Sequence, residues 1–87
     1  MSLARRAKSR DRNEPEIVAA LRKLGCTVVL CDHPDLIVGY RGKTYLIELK
    51  APGGRLTQSQ KDLVATWNGG PLGILWSLDE VISFVTL

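Results

Sequence analysis

The chain has 87 residues, a formal net charge of +3 at pH 7, 45% hydrophobic and 24% charged residues. That length allows one domain with a modest core, for which pairing with a second copy is a common supplement. No apolar run approaches the roughly 18 residues of a membrane span, so no membrane partner is expected.

The charge is unevenly spread. Residues 1–12 carry Arg5, Arg6, Lys8, Arg10 and Arg12 against Asp11, a net of +4, whereas residues 13–87 carry seven basic and eight acidic side chains. The reading is therefore a basic N-terminal arm over 1–12 followed by a single domain over 13–87. Such an arm fits a polyanion, because lysine and arginine release counterions from phosphates. A solvated tail without a partner accounts for it equally well. The first residues lack the apolar stretch of a signal peptide, and a cytoplasmic location is expected.

Asn13 is placed to cap a first helix, with Pro15 in its first turn. Ile17, Leu21 and Leu24 recur at helical spacing, and Gly25 stops the helix. "CTVVLCD", residues 26–32, is rich in β-branched residues and predicts a strand. Cys26 and Cys31 on one extended strand would stand roughly 16 Å apart. That is beyond the span of a disulfide, and buried free thiols are expected. "DLIVGY" (35–40) and "KTYLIELK" (43–50) predict two further strands joined by a turn at Arg41-Gly42. "APGGR" is a loop. Thr57 caps a second helix through Leu63, Val64 and Trp67, which ends at Gly69-Gly70. "LGILWS" is a fourth strand. Ser77-Leu78-Asp79-Glu80 has the pattern of a capping box for a last helix. The order is α-β-β-β-α-β-α, an α/β fold. Strands two and three are apolar on both faces, so helices or a partner should cover both sides.

The hairpin carries an unexpected set of charges. With a two-residue loop at Arg41-Gly42, Tyr40 pairs with Lys43, Asp35 falls opposite Glu48 and His33 opposite Lys50. Opposed side chains share a face with β-carbons about 4.5 to 5.5 Å apart. Two acids this close repel unless a cation lies between them, and Mg²⁺ or Mn²⁺ suits hard carboxylate oxygens. Strand-end acids are often merely solvated, but D-x12-E-x-K across one hairpin is a far more specific pattern than any one of its residues. A three-residue bulged loop would break the alignment.

"PDLIVG" (34–39) followed by "YLIELK" (45–50) resembles the motif of the PD-(D/E)XK nuclease superfamily, and within it the small stand-alone VRR-NUC proteins of phages and bacteria. "NEPEIVAALRKLG" (13–25) is similar to that family's first helix, and "RLTQSQ" (55–60) to its L-T-x-x-Q segment. The resemblance spans residues 13–60. It implies a restriction-endonuclease-like αβββαβ core, a small mixed sheet flanked by helices. It also implies that Asp35 and Glu48 are metal ligands together with the Leu49 backbone carbonyl. Glu16 would complete the acidic cluster through water or a second metal position. Lys50 would position or help deprotonate the attacking water and stabilise the charge on phosphate, and Gln60 would orient Lys50 or a water.

Local readings stand beside these. Glu16 and Gln60 each fit the third position of a capping box, which accounts for them as well as a site role does. Glu14 is the neighbouring candidate if the first helix begins differently. His33 is placed to touch the site, although a strand-end histidine is more often plain surface. Trp67 and Trp76 are aromatic and able to stack on bases, but their apolar surroundings predict core positions. Arg55 and Lys61 flank the second helix, where they would meet phosphates or solvent. The implied activity is Mg²⁺- or Mn²⁺-dependent endonucleolytic cleavage of DNA, including Holliday junctions, flaps and other branched structures, by a homodimer with no small-molecule substrate. The apolar C-terminal "VISFVTL" is the expected dimer interface. The alternative is a nucleic-acid-binding module with the same fold that does not cut.

Overall fold

The structure, a computed structural model, describes residues 13–50 and 54–87. Arg5, Arg6, Lys8, Arg10 and Arg12 lie outside the described residues, as do residues 51–53 of the "APGGR" loop. The elements are α1 (Glu14–Leu24), β1 (Thr27–Leu30), β2 (Leu36–Tyr40), β3 (Lys43–Leu49), α2 (Gln58–Thr66), β4 (Leu72–Leu75) and α3 (Leu78–Thr86). They form one four-stranded mixed sheet in the order β1-β2-β3-β4 with three helices. This is the α/β arrangement with the αβββαβ order read from the sequence.

α1 buries Glu14, Ile17, Val18 and Leu21, the i, i+3, i+4, i+7 stripe of an amphipathic helix. It ends at Gly25, whose φ of 111° lies in the left-handed region. There the Cys26 N–H closes back on the Leu21 carbonyl at 3.0 Å, so a glycine is needed at 25. The start of α1 departs from expectation. Asn13 makes no side-chain cap, and its Nδ2 instead donates to the Trp76 carbonyl at 2.8 Å. That bond ties the first turn of α1 to the end of β4.

The hairpin has the two-residue loop. Arg41 (φ 53°) and Gly42 (φ 81°) are both at positive φ, as a type I′ turn requires. The ladder runs from Tyr40↔Lys43 to Leu36↔Ile47. β1 pairs antiparallel with β2. β4 runs parallel to β3, with Leu46↔Leu72 and Leu49↔Leu75, and α2 supplies the crossover that a parallel pair needs.

This register sorts the side chains onto two faces. Val28, Leu36, Val38, Tyr45, Ile47 and Leu49 point to one face and are buried against Ile17, Val18, Leu21, Val81 and Val85 of α1 and α3. Phe84 meets the Tyr45 ring edge-on at 5.6 Å. It also lies so close over Gly73 that a β-carbon there would come within 3.1 Å of its ring. Each fully buried aliphatic side chain contributes about 1.5–3 kcal/mol.

The second face, with Val29, Ile37, Leu46, Leu72 and Ile74, is only partly covered, and α2 has no fully buried residue. Helices thus cover one side of the sheet closely and the other loosely. For the same reason Trp67 and Trp76 are not core residues, at 42% and 41% exposed. The C-terminal segment, expected as an interface, places Val81 and Val85 in the protein's own core and leaves Leu87 exposed. Cys26 and Cys31 are free, but only Cys26 is buried, and burial raises its thiol pKa. No helix of the described residues is long and apolar enough to cross a membrane.

Candidate functional site at the strand ends

The loosely covered face carries a buried acid. Glu48, the sixth residue of β3, is 1% exposed. The β2–β3 ladder ends at Leu36↔Ile47, so Asp35 stands one step further along, opposite Glu48. Two backbone bonds fix it there. The Leu49 N–H donates to Asp35 Oδ2 at 2.8 Å, and the Cys31 N–H donates to the Asp35 carbonyl at 2.8 Å. The second bond closes the 31–35 loop and folds His33 back over the sheet.

His33 Nδ1 lies 2.6 Å from Glu48 Oε2. The contact brings the atoms together without a directed hydrogen bond, and among the described residues Oε2 is a buried oxygen lacking one. The other oxygen, Oε1, accepts from Gln60 Nε2 at 3.3 Å. The Glu48 carboxyl is pushed up to about 7, first by burial and then by the charge and hydrogen bonding of Asp35, with Gln60 and His33 opposing. Near neutral pH the pair therefore holds on to a proton, as two close acids do when no cation separates them.

Gln60 fills two roles with two atoms. Its Oε1 accepts from the Thr57 N–H at 2.9 Å and its backbone N–H donates to Thr57 Oγ1 at 3.1 Å, a complete capping box. Its Nε2 is left to reach Glu48. Cap and site, alternatives on spacing alone, coexist. Its partner is Glu48, where the resemblance implied Lys50 or a water.

Lys50 extends the ladder past β3, its N–H donating to the Leu75 carbonyl at 2.9 Å. Its Nζ lies over the Trp76 ring, 5.5 Å from the centroid. Trp76 is held by its own N–H donating to Glu80 Oε1 at 2.9 Å, part of the capping box of Ser77 and Glu80 that starts α3. His33, Asp35, Glu48, Lys50, Gln60 and Trp76 thus gather at one end of the sheet.

Of the two acids at the start of α1, Glu16 is exposed and Glu14 is buried, at 5% exposure. Two residues along a helix turn the side chain by about 200°, and the stripe of Ile17, Val18 and Leu21 includes Glu14. Glu16 does not cap the helix through Asn13 either. Arg55 and Lys61 are exposed beside α2. For His33, contact with the site and plain surface both stand on sequence alone, and the pairing that places Asp35 opposite Glu48 also puts His33 on the same face. No group of three or more His, Cys, Asp or Glu side chains with metal-holding geometry occurs among the described residues.

Comparison with known proteins found no matching family model, no matching curated protein and no matching solved structure.

Proposed function

We propose that the chain is a metal-dependent endonuclease that hydrolyses DNA phosphodiester bonds, of the PD-(D/E)XK type and resembling the small VRR-NUC proteins. The observation that carries this is Glu48. A fully buried carboxylate faces a second acid, has one oxygen without a directed hydrogen bond and is pushed up to about 7. A fold gains no stability from such a pair alone. Asp35 and Glu48 would hold a divalent cation between them, which would offset the repulsion of the two acids, as the His33 contact at 2.6 Å now does in part.

The donors fit Mg²⁺ or Mn²⁺. Asp35, Glu48 and the Leu49 carbonyl are hard oxygens, and these cations keep part of their water shell, so few protein ligands suffice. When bound, the cation lowers the pKa of water and offsets the charge developing on phosphate. The chain's own groups do the rest. Lys50 offers an ammonium one alternate position beyond Glu48, where it orients the attacking water and stabilises the phosphate charge. Gln60 holds the Glu48 carboxylate in place, and an acid from the start of α1, Glu16 or its buried neighbour Glu14, completes the site. Arg5, Arg6, Lys8, Arg10, Arg12, Arg55 and Lys61 are proposed phosphate contacts. Branched DNA as substrate, a homodimer that brings two sites to opposed strands, and a cytoplasmic setting complete the reading; free thiols accord with that setting.

The second reading, a binding module that does not cut, is favoured by the lack of a ready metal-holding group among the described residues. Calorimetric titration with Mn²⁺ separates the two. The nuclease reading expects one or two sites per chain, lost in Asp35→Asn. A folded protein that takes up no Mn²⁺ overturns it.

A further inference from the structure

Trp76 is the one feature of the strand-end cluster that hydrolysis does not require. The residue is 41% exposed, yet its backbone is fixed at both polar groups. The N–H is bound to Glu80 Oε1 at 2.9 Å and the carbonyl to Asn13 Nδ2 at 2.8 Å. Lys50 Nζ stands 5.5 Å from the ring centroid. An exposed aromatic on a fixed backbone, with a cation over one face of its ring, matches one nucleotide, with a phosphate drawn to the ammonium and a base stacked on the ring. Trp67 offers no such match. Its Nε1 is bound to the Gly70 carbonyl at 2.7 Å, and it lies with Lys43 and Thr44 at the opposite end of β3.

We infer that Trp76, exposed with the Lys50 ammonium over its ring, is a stacking surface for an unpaired base, so that the site takes DNA with single-stranded character next to the scissile phosphate. The inference rests on the endonuclease reading and narrows its substrate. A base inside an intact duplex is already stacked on both sides and has no face to give. A base in a flap, a frayed end or an opened junction does. Stacking on an aromatic tolerates any base, so the surface selects structure and not sequence.

The test uses Trp67→Phe, which leaves Trp76 as the sole tryptophan of the two in the chain. Its fluorescence is titrated with a short single strand, a flap and a blunt duplex, in EDTA and again in Ca²⁺, with uncleaved DNA verified on gels. The expected result is saturable quenching by the strand and the flap and little by the duplex. Trp76→Leu should weaken single-strand binding by at least about 5-fold while duplex binding holds, and Trp76→Phe should restore most of it. Equal quenching by duplex and single strand, or a Trp76→Leu variant whose preference for single strands is unchanged, overturns the inference and leaves the endonuclease reading intact. A wild type that binds none of the three DNAs removes the endonuclease reading and this inference with it.

Discussion

Gln60 and Glu48 are joined by a hydrogen bond of 3.3 Å from the Gln60 amide to Glu48 Oε1, while the amide oxygen of Gln60 caps α2 at Thr57. One side chain therefore couples the start of a helix to the buried acid. Its two functions separate by mutation. Gln60→Ala removes both, with a stability loss of about 1 kcal/mol for the cap and roughly 10-fold slower cleavage. Gln60→Glu keeps an oxygen for Thr57 but puts a third acid beside Glu48. It should retain helix content by circular dichroism and still lose activity.

Glu48 sets a pH dependence of stability. Its folded pKa of about 7 lies above the ordinary glutamate value of 4.5. The folded state therefore binds more protons than the unfolded state between those values, and stability falls as pH rises through that window. Above about 7 the full cost is present, on the order of a few kcal/mol. Thermal melts in EDTA should show Glu48→Gln more stable than wild type at pH 8 and close to it at pH 4.5. Mg²⁺ should raise the wild-type melting temperature more at pH 8 than at pH 5.5, because at the lower pH the cation must displace a proton.

The two acids of α1 give a direct contrast. Glu14 is buried and Glu16 is exposed. Glu14→Gln should slow cleavage by roughly 10-fold or more, and Glu16→Gln should leave it within about 2-fold, as surface changes usually do. The reverse order, measured as kcat on one substrate, would make Glu16 the acid of the site.

His33 touches Glu48 Oε2 at 2.6 Å with its own side chain 38% exposed. It covers the acid from solvent more than it supports the core. His33→Ala should therefore cost less than about 1 kcal/mol of stability but about 10-fold in metal affinity, read by calorimetry with Mn²⁺.

The hairpin was legible because its turn and its pattern agree. Arg41-Gly42 accommodates two positive φ values, and that single fact fixes Asp35 opposite Glu48. The caps at Thr57 and Ser77 were legible for the same local reason, since each is closed within four residues. Glu14 against Glu16 was not, because the rotation of α1 is set by how Ile17, Val18 and Leu21 seat on the sheet. Asn13, drawn away to Trp76, shows the same tertiary override of a local signal. Trp67 and Trp76 misled because apolar periodicity marks a face without saying what covers it. His33 escaped because the 31–35 loop, closed by one backbone bond from Cys31 to Asp35, folds it towards Glu48 and not across to Lys50.

The central claim is that Asp35, Glu48 and Lys50 cut DNA with a divalent cation. The most direct measurement is cleavage of end-labelled duplex, flap, splayed-arm and four-way-junction DNA in Mg²⁺, Mn²⁺ or EDTA, with Lys50→Ala and Asp35→Asn beside the wild type. The account predicts cutting that requires the cation, falls at least about 100-fold in both variants, and favours the branched substrates over the duplex. A folded, Mn²⁺-loaded wild type that leaves all four DNAs intact would contradict it.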